Sequence, residues 1–318
     1  MELLHPSNVY EESWFLLSLI KILGLYPIKF CKVSCMKYLY VIILLTIYYT
    51  LLLIVNEYAL SVLKMIDTIN TITKIRMIRY CTNIILLPSM MISSMHYSIN
   101  IRRVHEKINN IDKNIKFFNT EIDHARCMKD DIVRIMNVIF FVILFNLMDY
   151  YGFLLNPDSD MYVLMWILDR IPDFVNTIII CSFAILINKI KFRFAKVNSI
   201  LRTITKEKSH FSISDMASVN TGCRLKLLEL LQLNLCKTVS LVNEGYRFQL
   251  KIVSIVYILY MCLHTSVIYM YIDNETYAVD VILSVLWGTL DIIKLVYIIH
   301  LYHILTIQVI FLYRSYHI

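Results

Sequence analysis

Glycine and proline are scarce in this chain, five of each in 318 residues, and only 17% of the residues are charged. A soluble domain carries about 25% charged and roughly 45–50% apolar residues, whereas 58% are hydrophobic here. The low charge excludes an ordinary soluble globule. The lack of glycine and other turn residues excludes a membrane β-barrel. Together with long apolar runs, these absences leave one fold class, an all-α, polytopic transmembrane helical bundle.

Further absences narrow the function. There is no glycine-rich phosphate loop, no G-x-S-x-G and no H-E-x-x-H, so no catalytic constellation is present and an enzyme is not expected. The formal net charge is +7, but the lysines and arginines gather in loops between apolar runs rather than along one stripe, so nucleic acid is not an expected partner. None of the eight cysteines falls in a predicted outer loop, and no structural disulfide is expected. Cys31 and Cys35 share a helix face, yet nothing nearby completes a metal site, and no cofactor is implied. The N-terminus is not a signal peptide: Glu11 and Glu12 precede its apolar stretch, Lys21 interrupts it, and no small-residue cleavage site follows.

What is present is a set of six apolar segments, each near the roughly 17–25 residues that cross a bilayer. They cover about 38–55, 77–98, 132–155, 171–186, 252–272 and 278–300, within a single domain spanning residues 1–318. Basic residues set the orientation. Lys21, Lys29, Lys32 and Lys37 precede the first span, the second connection holds Arg102, Arg103, Lys107, Lys113, Lys116, Arg126 and Lys129, and the fourth is dense with them from Lys189 to Lys251. The third and fifth connections have none, and the first has only Lys64 and Lys74 before Arg76. Basic loops stay cytoplasmic, which places the N-terminus inside at the plasma membrane. The one N-x-S/T sequon, at Asn274, falls in the fifth connection, on the predicted outer side, as a glycan acceptor would. An inside N-terminus and six spans disfavour a G-protein-coupled receptor.

The inner connections carry helices of their own. Ile101, Val104, Ile108, Ile111, Ile115, Phe118 and Ile122 recur at spacings of three and four, so the second span continues as a helix into the cytosol. Thr205–Gly222, rich in Ser and Lys, reads as a flexible loop. After it, Leu225, Leu228, Leu231, Leu235, Val239, Val242 and Tyr246 repeat at helical spacing into the fifth span. A helix from Ala278 to Tyr313 is ~54 Å long at ~1.5 Å per residue, beyond the ~30 Å hydrocarbon core. Three helices extending inward form a packed cytosolic layer.

Several stretches resemble insect gustatory receptors. Lys21-Ile22-Leu23-Gly24-Leu25-Tyr26-Pro27 looks like the Gly-Leu-x-Pro element before their first span. Leu225–Leu250, with Leu235-Cys236, Val242-Asn243 and Phe248-Gln249-Leu250, is similar to their segment entering the fifth span, and Trp287–His303 resembles the sixth span of moth and butterfly members. Their Thr-Tyr…Gln-Phe signature is approached at Tyr302 and Gln308, but Leu301 and Val309 replace the Thr and Phe within what continues the sixth span. The resemblance implies a homo- or hetero-oligomeric (tetrameric by that resemblance), tastant-gated cation channel set in membrane lipid. It also implies a seventh, pore-lining span that 1–318 stops short of, so the expectation is a form truncated before that span, able to bind ligand rather than conduct.

Polar and aromatic residues towards the outer half are the candidate ligand site: Asn146, Asp149 and Tyr150 on the third span, Trp166, Asp169, Asp173 and Asn176 on the fourth, and Tyr257, Tyr260 and His264 on the fifth. Ionisable groups at membrane depth face a cavity or a partner, and aromatic walls with a few polar groups suit a small ligand. The same residue types also serve as interfacial belts and interhelical hydrogen bonds, and Asp169 with Arg170 fits the water boundary. Asp291 and Lys294, three apart, are expected to pair with each other. An odorant receptor is the near alternative to the taste receptor. A small secondary transporter is the distant one, disfavoured because repeats and helices broken by Gly or Pro are missing.

Overall fold

The computed structural model describes residues 6–26, 36–65, 71–154, 160–210, 215–272 and 278–315, and among them every regular element is a helix. Two short helices, α1 (Val9–Glu12) and α2 (Trp14–Ile22), precede six long ones: α3 (Met36–Met65), α4 (Thr71–Ile115), α5 (His124–Leu154), α6 (Asp160–His210), α7 (Asp215–Tyr271) and α8 (Ala278–Ser315). All six long helices contain a stretch apolar enough to cross a membrane. Consecutive long helices pack antiparallel, through pairs such as Tyr49–Ile84, Asp149–Trp166 and His264–Asp291, and α1 and α2 lie against α4 and α5 at one end of the bundle.

Helix α6 is the axis of the bundle. It is buried across 78% of its apolar window, against 11% for α5. The sequence explains the difference. Ile178, Ile179, Ile180, Phe183, Ala184, Ile185, Leu186 and Ile187 are all buried and leave no polar face, as in a helix surrounded by others. On α5, Phe140, Phe141, Ile143, Leu144, Leu147 and Met148 are exposed, an apolar surface that only lipid can cover favourably.

The helices extend further beyond their apolar stretches than the sequence reading proposed. Helices α4, α6 and α7 contain 45, 51 and 57 residues, or about 68, 76 and 86 Å. The heptad stripe Ile101, Val104, Ile108, Ile111 and Ile115 is buried as expected, and so are Leu228, Leu231, Leu235, Val239, Val242 and Tyr246. Helix α8 runs uninterrupted from Ala278 to Ser315, as its composition predicted. The flexible loop expected at 205–222 is a correction. Helix α6 continues to His210 and α7 begins at Asp215, with 211–214 outside the described residues. The stretch is polar but lacks proline, and polarity alone does not break a helix that water can solvate. The extending layer therefore has four helices, α6 being the one not foreseen.

Helices α1 and α2 are fastened to this layer by a buried charge network. Glu12 accepts from His124 Nδ1 at 2.7 Å, from Arg193 at 3.3 Å and from Lys189. Arg193 forks onto Asp112 of α4 through Nε (2.8 Å) and Nη2 (2.7 Å), and Lys189 also meets Asp131 of α5 at 2.7 Å. Burial pushes the Glu12 carboxyl up, but the His124 hydrogen bond and the Lys189 and Arg193 charges outweigh it and hold its pKa at about 2. The Gly24 element caps α2. Gly24 has φ +70°, Leu25 N donates to Ile20 O at 2.8 Å and Gly24 N to Lys21 O at 3.0 Å, the two bonds of a Schellman motif.

Candidate functional site

At the end of the bundle opposite α1, five helices turn polar residues towards one another, on α4, α7 and α8 at the three- or four-residue spacing that shares a helix face. Helix α4 supplies Arg79 and Asn83, α5 Asp149 and Tyr150, and α6 Trp166, Asp169, Arg170, Asp173 and Asn176. Helix α7 supplies Tyr257, Tyr260 and His264, and α8 supplies Trp287, Asp291 and Lys294.

Asp149 is the centre of the first group. One of its oxygens accepts from Trp166 Nε1 at 2.5 Å and Arg170 Nη2 at 2.6 Å, and the other from Trp287 Nε1 at 2.9 Å. Three donors from two other helices thus converge on one buried carboxylate. The Trp287 ring lies between two guanidinium groups, Arg170 at 4.3 Å and Arg79 at 5.4 Å from its centroid, within the range of cation–π attraction. Tyr150 packs its ring on Trp166 at 5.4 Å.

A second group forms around Asn83. Its amide donates to Asp169 at 2.7 Å, and its carbonyl accepts from Tyr260 at 2.6 Å. Arg79 sits 3.5 Å from Asp169 and 5.2 Å from the Tyr260 ring centroid. A third links α8 to α6, where Lys294 donates to both Asp173 oxygens at 2.9 and 3.1 Å and lies 5.0 Å from the Tyr257 ring centroid. His264 Nε2 approaches Asp291 at 3.9 Å.

These contacts bring together nearly all the residues singled out from sequence. Asn146 is the exception, since its amide donates to Val142 O of its own helix at 2.7 Å and reaches no neighbouring helix. Asn176 is buried one turn along α6 from Asp173, with Oδ1 unpartnered. Asn274 lies outside the described residues. One pairing differs from expectation. Asp291 and Lys294 do not pair, because an intrahelical bond would strand the buried Asp173 without a counter-ion. Asp169 and Arg170, both partly buried, are engaged with Asn83 and Asp149. Arg79, Asn83 and Trp287 were missed. The signal for them was depth: each lies level with the chosen residues once the helices alternate in direction.

The model of the 7tm chemosensory receptor family matches residues 15–308, a span that takes in the whole cluster and every long helix. The chain belongs to this family. No individual curated protein matches it. The chemosensory receptor is thus a multi-pass membrane protein, and its family is not one of enzymes. Among the described residues no group of His, Cys, Asp and Glu has the arrangement of a metal site. The cluster offers fixed donors, fixed acceptors and aromatic surfaces in a low-dielectric setting.

Proposed function

We propose that this receptor is a taste-type subunit, related to the gustatory receptors that its sequence resembles. In this reading it lies in the plasma membrane with a cytosolic N-terminus and assembles as a homo- or hetero-oligomer, a tetramer by that resemblance. A small tastant occupies the cluster of Asp149, Trp166, Asp173, Tyr257, Tyr260 and His264, the event that gates a cation conductance in the receptors it resembles. The observation that carries the reading is the convergence of eight ionisable side chains from five helices onto Trp287 and its surroundings. Each such group costs several kcal/mol to place in lipid, and replacing buried ion pairs with packed apolar residues is often neutral or stabilising. Stability alone therefore gives little reason for the cluster, whereas binding gives a direct one.

The test is expression in cultured cells, with calcium entry as the conduction signal and ligand-induced thermal stabilisation of the purified protein as the binding signal. A compound active in either assay is then applied to Asp149→Asn and Trp287→Phe. The expected outcome is at least a tenfold loss of potency in both variants at unchanged surface expression. Unchanged potency in both would remove the cluster from the binding site. Calcium entry and stabilisation by volatile, sparingly soluble compounds alone would favour an odorant receptor.

A further inference from the structure

A charge inventory of the cluster leaves one group unmatched. Four carboxylates, Asp149, Asp169, Asp173 and Asp291, face three permanent cations, Arg79, Arg170 and Lys294. Arg170 serves Asp149 at 2.6 Å, Arg79 serves Asp169 at 3.5 Å and Lys294 serves Asp173 at 2.9 Å. Asp291 is 3% exposed, and among the described residues no lysine or arginine nitrogen comes within salt-bridge distance of it. Its nearest basic atom is His264 Nε2, at 3.9 Å, beyond hydrogen-bond reach.

Two further observations point to a missing occupant. The Tyr257 hydroxyl is fully buried and makes no hydrogen bond of good geometry among the described residues, Thr177 being its polar neighbour, and it lies within electrostatic reach of Asp173 and Asp291. Asn176 Oδ1, on the same face of α6 as Asp173, is also buried and unpartnered. Carboxylate and amide oxygens only accept, and a phenol oxygen can accept as well as donate, so one donor group would serve all three. Gly288, one turn before Asp291 and turned to His264, adds no side chain there; a Cβ at that position would already touch His264 Cβ at 3.5 Å.

We infer that Asp291 is the counter-ion for a small protonated amine, whose ammonium group binds beside His264 and Tyr257. One positive charge balances the inventory, and N–H donors on that charge satisfy the unpartnered oxygens through charge-assisted hydrogen bonds. A short alkylamine and a small cyclic amine are the simplest members of that class. This assignment rests on the reading of the cluster as the ligand site, and it names the chemical class that site takes.

Thermal stabilisation of the purified receptor by n-butylamine and piperidine, compared with n-butanol and cyclohexanol, tests it on the unaltered protein. At pH 7 such amines are protonated, as a lysine side chain is. The amines are expected to stabilise and the alcohols not. Asp291→Asn is expected to weaken the apparent amine affinity at least tenfold, and Asp291→Glu to restore part of it. Equal effects of amines and alcohols overturn the assignment, and so does amine stabilisation that survives in Asp291→Asn. If no amine acts, the assignment also falls; the receptor reading then stands if a neutral compound stabilises the protein in an Asp149-dependent way, and falls with it if none does. The comparison of amines with alcohols remains decisive even if Asp291→Asn does not fold.

Discussion

Glu12 illustrates how much one side chain can fasten. It belongs to a four-residue helix that has no stability of its own, yet its carboxylate is shared by His124, Lys189 and Arg193. Its folded pKa, about 2, lies below the carboxylate's ordinary value of 4.5. A depressed pKa contributes stability above the unfolded value and loses it as pH falls through the folded one. The contribution is roughly 3 kcal/mol at neutral pH. The unfolding midpoint of the wild-type protein should therefore exceed that of Glu12→Gln most at pH 7. The gap should narrow below pH 4.5 and close towards pH 2. Midpoints measured in detergent from pH 7 to 3 check this, and parallel curves for the two proteins would contradict it. The residue scale is also where sequence reading fell short. Asp149 and Asp173 were legible because a carboxylate in an apolar run stands out. Their partners were not, because which of Arg79, Arg170 and Lys294 neutralises which acid depends on helix rotation, and rotation leaves no mark on spacing within one helix.

Elements were more legible than contacts. The α4 stripe from Ile101 to Ile115 appeared as a heptad pattern and is buried as one, since period and burial are two views of the same face. Substituting Ile108, fully buried on that stripe, by alanine should destabilise the receptor by about 2–5 kcal/mol. Leu147→Ala on the lipid-facing side of α5, where the leucine is exposed, should change stability by no more than about 0.5 kcal/mol. Comparable losses in thermal unfolding would mean that the two faces had been assigned wrongly. Gly24 is a sharper case. The Gly-Leu-x-Pro element carried the family resemblance, and its physical reason lies in the α2 cap. A side chain at Gly24 would be strained at φ +70° and would place Cβ 2.5 Å from Met91 Cε. Gly24→Ala should cost about 1 kcal/mol or more, read as a lower unfolding midpoint. A neutral result would show that Met91 yields and that the cap tolerates a Cβ. Polar helix ends were the least legible elements. The inward half of α6 looked like the approach to a loop because its polar residues were counted without regard to the layer they bury against, where Lys189 and Arg193 hold three carboxylates.

At the scale of the whole molecule, the two polar centres lie at opposite ends of one apolar bundle, and this arrangement makes orientation a functional matter. Ligand from outside must reach the Asp149–Asp291 cluster, whereas the Glu12 network must stand with the basic connections. Both requirements are met only if α1 faces the cytosol, the side that retains lysine- and arginine-rich loops. The third and fifth connections then lie outside, and Asn274 becomes accessible to the glycosylation machinery. The receptor should consequently carry one glycosidase-sensitive glycan, lost in Asn274→Gln. An N-terminal epitope tag should be detected only after the cells are permeabilised. A tag visible on intact cells would invert the bundle, putting the Glu12 network outside and the aromatic cluster inside. The taste reading would then fail as a whole, since an external tastant would meet the end of the bundle that has no binding chemistry assigned to it. The two assays are independent, because glycan attachment reports the α7–α8 turn and the tag reports the far end of the chain. Agreement between them would orient all six helices, because their alternation leaves no freedom once either end is placed.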